Sequence, residues 1–176
     1  MFDYAKDQAQ LEYGRRMTRT KPTSQTDARR GARLAAVQAL YQMEMSGGGV
    51  TATVREYIDH RLGEDSETGP LESADADFFR HIVEGVVSEQ ALIDASIKTR
   101  LAKGWRLERI DSIVRAAVRA ATFELLRSAD VPIAVVLDEY VGIVNAFFDG
   151  PEGGFANALL DRLARETNAA ALREVA

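Results

Sequence analysis

Seven cationic side chains crowd the twenty residues from Gly14 to Arg33: Arg15, Arg16, Arg19, Lys21, Arg29, Arg30 and Arg33, against the single acid Asp27. Guanidinium groups present planar forks of N–H donors that match phosphate oxygens two at a time. This stretch carries +6, whereas residues 1–13 carry −2 and residues 34–176 carry −9, within a net charge of −5. A cationic arm on an anionic body can solubilise the chain, fold onto an acidic patch of its own surface, or neutralise phosphates. Composition alone leaves the three open. Arg29, Arg30 and Arg33 run into a helical pattern, which would hold their guanidinium groups in fixed geometry.

Other chemistry is hard to assemble from this sequence. With no cysteine there is no disulfide, thiolate nucleophile or Cys-based zinc site. Two histidines, His60 and His81, leave little for a metal centre or a His-dependent triad. The triplet Gly47 to Gly49 is not followed by the Lys-Ser or Lys-Thr of a phosphate loop and reads as a helix stop. Asp138 and Glu139 are adjacent, so on a helix they point about 100° apart and do not face one substrate. The expectation is a binding protein with no catalytic residues, no metal and no cofactor, and not an enzyme.

The elements that must position the arginines follow from periodicity. At 176 residues, 46% hydrophobic and 28% charged, the chain has the length and composition of about one folded domain. No uncharged stretch approaches the roughly 18 apolar residues of a membrane span, Tyr140 to Phe148 being the best. The first thirty residues lack a secretory signal's apolar run, so a cytoplasmic location is the default. Apolar residues at spacings of three and four predict helices over Asp27 to Met45 and Val50 to Leu62. The run Ala74 to Leu101 reads as one long helix or two in line, and Trp105 to Ser128 as another, with Asp111 a plausible N-cap. Ile133 to Phe148 is rich in β-branched residues, but its 3.6-residue repeat favours a helix with Pro132 in the first turn. After a break at Asp149 to Gly154, Phe155 to Glu166 predicts a last helix. About six helices and no convincing strand make this an all-α protein.

These residues carry a resemblance. Arg29-Arg30-Gly31-Ala32-Arg33, followed by Ala36-Val37-Gln38-Ala39-Leu40-Tyr41-Gln42, resembles the opening helix of the NusB family of bacterial transcription antitermination factors. Trp105-Arg106-Leu107-Glu108-Arg109-Ile110-Asp111, running on to Arg119 and Phe123-Glu124-Leu125, is similar to that family's fourth helical region, and Val131-Pro132 and Asp138-Glu139 continue it. Phe155 to Ala164 is similar to the closing helix. The resemblance implies a helical bundle of two three-helix subdomains over residues 27–167, with a flexible basic extension at 1–26 and a tail at 168–176. It also implies a function: binding the boxA element of nascent ribosomal RNA together with ribosomal protein NusE, within the RNA polymerase antitermination complex.

On that resemblance Arg29, Arg30 and Arg33 correspond to an arginine-rich motif, with Arg30 and Arg33 sharing a helix face and gripping successive phosphates. Gln38 and Tyr41 would add hydrogen bonds or base stacking, although Tyr41 also lies on the apolar stripe. Phe155, at a helix start whose amides favour a phosphate, would receive a base. Lys98, Arg100 and Arg119 would flank the RNA. Gly154 stands where family members often carry lysine, and Val114 where an acidic residue is common, which alters one phosphate contact and the partner face. Two other readings compete: a ribosomal RNA cytosine methyltransferase with a NusB-like front domain, disfavoured because the cysteines of that chemistry are absent, and an interaction adaptor or self-masked homodimer without specific RNA binding.

Overall fold

A computed structural model describes residues 25–63, 71 and 73–175 of the chain, and the side chains among these up to residue 167. The basic cluster at positions 15, 16, 19 and 21 and most of the 1–26 extension lie outside the described residues. Among the described residues there are seven α-helices: α1 (Gln25–Ser46), α2 (Val50–His60), α3 (Ala76–Ser88), α4 (Gln90–Lys98), α5 (Ser112–Arg127), α6 (Ile133–Phe147) and α7 (Glu152–Val175). A 3-10 turn at Leu107–Arg109 precedes α5.

Helix α1 is central because its residues 31–40 are small or aliphatic on nearly every side; Ala32, Ala35, Ala36 and Ala39 are wholly buried, and only Gln38 in that run is half-exposed. It stops where Gly47 adopts φ 71°, with the Gly47 amide donating to the Met43 carbonyl at 2.9 Å. Only glycine takes that left-handed backbone without cost.

Two groups of three helices each pack mutually, α1 with α2 and α3, and α5 with α6 and α7; α1 and α3 both lean on α5, and α4 rests against α5 and α7. Their apolar faces form one continuous core. Gly85 lets α3 approach α5: a Cβ there would come within 2.1 Å of the Phe123 ring. The alanines 116, 117, 120 and 121 of α5 are all buried and allow the same closeness along the helix.

Of the two arrangements open for the run after Ala74, the chain takes the two helices, because the backbone leaves the α region at Glu89 (φ −108°, ψ 14°), next to a Ser88 hydroxyl that donates to the Gly85 carbonyl. Three boundaries differ from the periodic reading. Helix α5 starts at Ser112, not Trp105, since Asp111 caps it by accepting from the Ile113 amide at 2.8 Å and Ile110 is extended. Pro132 sits at the N-cap of α6 with ψ 138°, one step before the first turn. Helix α7 begins at Glu152 and continues through Val175, so the Gly153-Gly154 pair lies inside its first turn and residues 168–175 are helical. Gly153 is there because a Cβ would collide with the Asn145 side chain of α6.

Candidate nucleic-acid interface

The three arginines at the start of α1 are built in, each against a different part of the body. Arg33 is 2% exposed. Its Nε and Nη2 donate to both carboxylate oxygens of Glu124 on α5, at 2.8 and 2.9 Å. The Tyr140 hydroxyl of α6 donates to the same carboxylate at 2.6 Å. Burial alone would make the Arg33 guanidinium easier to deprotonate, but the Glu124 hydrogen bonds and charge outweigh it and hold the group above its ordinary value. Burial first, then the Glu124 charge, push the Tyr140 hydroxyl well above the usual tyrosine range. A guanidinium whose fork is closed on a buried carboxylate has nothing to give a phosphate. The expectation that Arg33 grips RNA is therefore corrected: Arg33 ties α1 to α5 and α6.

Arg30 and Arg29 are different. Arg30 donates from Nε and Nη2 to Glu139 of α6 at 3.1 and 2.9 Å, yet its side chain remains 41% exposed. Arg29 lies 3.5 Å from Asp130 with its guanidinium 4.7 Å above the Phe78 ring, and is 29% exposed. Arg33 approaches the same ring at 5.1 Å, so Phe78 is a shared plate under the arginine cluster. The outcome is two oriented, solvent-facing cations standing on a third that is structural. Gln38, two turns further on, and Tyr41 are both half-buried, Tyr41 packing part of its ring against the core.

Arg119 on α5 is also internally committed. Its Nε and Nη2 donate to Asp94 at 2.8 and 2.9 Å, its Nη1 to Glu44 at 3.2 Å, and it is 15% exposed. Arg115 shares Glu44, and burial together with the Arg119 charge lowers its affinity for its proton. The flanking contact expected of Arg119 gives way to a joint between α1, α4 and α5.

The remaining expected residues gather elsewhere, around the loop between α4 and α5. Lys98, half-exposed, pairs with Glu108 at 3.2 Å, and Arg100 pairs with Glu166 of α7 at 2.7 Å. Phe155 in the first turn of α7 stacks on Trp105, ring centroids 5.1 Å apart and planes 24° from parallel. Phe155 is half-buried, and Trp105 is 55% exposed. The Phe155 amide is already taken by the Pro151 carbonyl, and Glu152 places a carboxylate in the same turn, so the phosphate expected at this helix start meets a negative charge. Trp105 is the residue that sequence reasoning overlooked as a site. Its signal was present, a lone tryptophan between Lys103-Gly104 and Arg106, but the apolar period absorbed it into a helix.

The arginine pair at α1 and the aromatic pair at α7 thus form two cationic regions, both free of any grouped metal ligands among the described residues. Among the described residues, no helix is long and apolar enough to cross a membrane.

Comparison with known proteins agrees with this architecture. The NusB family model matches residues 30–165. The transcription antitermination protein NusB of Caulobacter vibrioides is 55% identical over 77% of this chain and 91% of its own. That of Allorhizobium ampelinum is 51% identical over 87% and 96%. Among solved structures, T. maritima NusB superposes with a TM-score of 0.66 at 30% identity, covering 78% of this chain and 91% of its own. A structure of antitermination factors NusB and NusE in complex with dsRNA shares the fold at 21% identity, TM-score 0.64, over 79% and 97%. With the model spanning both three-helix groups and relatives above half identity over nearly their whole length, this chain belongs to the NusB family.

Proposed function

We propose that this protein is a transcription antitermination factor of the cytoplasm that binds boxA RNA of nascent ribosomal transcripts together with ribosomal protein NusE, as a binding component of the RNA polymerase antitermination complex and not as an enzyme. The observation that carries the proposal is the kinship, at about half identity over most of the chain, with proteins named for transcription antitermination. The surface supports it: Arg29 and Arg30 project oriented guanidinium groups at one end of α1, and Lys98, Arg100 and Phe155 cluster with an exposed tryptophan at the start of α7. Phosphate neutralisation gives affinity, whereas sequence choice on a single strand needs bases received on aromatic faces. This surface has the side chains for both. On this reading Gln38, half-buried on α1, hydrogen-bonds the strand, while Arg33 and Arg119 act by holding the helices that carry the contacts.

A gel shift with boxA RNA and a scrambled strand of equal composition, each with and without NusE, tests the proposal. Selective retention of boxA that tightens with NusE is expected. Equal retention of both strands, with no response to NusE, would remove the proposed function.

A further inference from the structure

We infer that Trp105, backed by Phe155, is a stacking platform for one unpaired base of the bound strand, a site that rests on the RNA-binding reading above. A ring stacked on one face by a neighbour and still 55% exposed must offer its other face and edge to solvent. Large exposed aromatics cost free energy in water, and with Phe155 stacked on it Trp105 still leaves more than half of its surface in solvent.

The platform is preorganised. The Trp105 amide donates to the Ala102 carbonyl at 3.0 Å, closing a turn whose third residue, Gly104, has φ 89°, a backbone that side chains other than glycine strain to adopt. Ile97 before the turn and Leu107 and Ile110 after it are buried in the core. Arg162 of α7 donates to the Arg100 carbonyl at 2.6 Å and ties the loop to the helix that carries Phe155. Little ordering is left to be done on binding, which favours affinity.

Charge selects the occupant. Residues 98–109 hold Lys98, Arg100, Lys103, Arg106 and Arg109 against one acid, Glu108, a local +4 on a chain of net −5. Lys103, Arg106 and Arg109 are all exposed, and the side chains of Lys103 and Arg109 make no ion pair or hydrogen bond among the described residues. An exposed aromatic face on a loop rich in exposed cations fits a base whose own phosphates lie to either side, the arrangement by which single strands are held. An apolar protein partner would leave those cations desolvated and unpaired. Duplex RNA, whose bases are stacked on each other, offers nothing to this ring.

Trp105 is the chain's only tryptophan, so the intact protein carries its own reporter. Titration with single-stranded boxA RNA should quench tryptophan emission with the same midpoint as RNA retention on a filter, and a boxA duplex should not. Trp105→Ala should weaken retention roughly 5- to 100-fold, in proportion to the loss of one base stack. Its melting temperature and the slope of affinity against salt should stay those of the wild type, because stacking releases no counterions. Trp105→Phe should recover part of the affinity. Retention by the wild type with unchanged emission, or retention by Trp105→Ala within twofold of wild type, overturns the platform and leaves RNA binding standing. A wild-type chain that retains no RNA overturns the functional proposal itself.

Discussion

Arg30 and Arg33 illustrate how far three positions on one helix can diverge. Successive residues turn by about 100°, so positions i and i+3 differ by about 60°. That is enough here for one guanidinium to look into the seam between α5 and α6 and the other to reach solvent. Spacing announced a shared face; it could not announce Glu124, which lies 91 positions along the chain and meets Arg33 only after folding. Truncating one partner of a buried pair strands the other charge, typically at about 3–5 kcal/mol, against a total stability of about 5–15 kcal/mol for a domain. Arg33→Ala should therefore lower the thermal midpoint by many degrees. Arg30→Ala, which leaves the nearly buried Glu139 carboxylate without this partner but gives water access from the arginine's exposed side, should cost less than Arg33→Ala, about 1–3 kcal/mol, while weakening RNA retention. Melting curves and filter binding on the two single variants separate the roles. An Arg33→Ala protein that melts with the wild type would return Arg33 to the RNA surface.

Among the helices, periodicity made most of the fold legible. The β-branched segment from Ile133 is helical as its 3.6-residue repeat demands, with Val136, Tyr140, Ile143 and Val144 inward. What periodicity could not resolve is the loop between α4 and α5, where Leu107 and Ile110 are buried at a helix-like spacing although the backbone is a 3-10 turn between extended residues. Burial there is dictated by the partner surface, not by a helical face, and the misread start of α5 is what concealed Trp105. Close approach of helices was equally hidden, because nothing local distinguishes Gly85 from a tolerated helical glycine. Phe123 fills the space its missing Cβ leaves. Gly85→Ala gains helix propensity of about 1 kcal/mol, but displacing a buried ring from a filled core costs about 1–3 kcal/mol. The variant should accordingly be destabilised on balance, as measured by chemical denaturation. A stabilised Gly85→Ala would mean that α3 and α5 do not pack as described.

For the molecule as a whole, the governing fact is an anionic chain that must bind a polyanion. At physiological ionic strength charges are screened over about 8 Å, so the body's negative charge repels weakly at a distance while local cations act at contact. The charge asymmetry was visible in the sequence; its division into an α1 cluster and an α4–α5 loop cluster was not, since it depends on which cations the fold pairs internally. If four to six phosphates are neutralised by these clusters, the logarithm of the binding constant should fall with the logarithm of salt concentration at a slope of roughly −3 to −4, at about 0.7 per phosphate of a single strand. Filter binding of boxA RNA across a salt series reads this directly. A slope in that range is the result expected of phosphate capture on a preorganised helical scaffold, and retention that does not change with salt would contradict it.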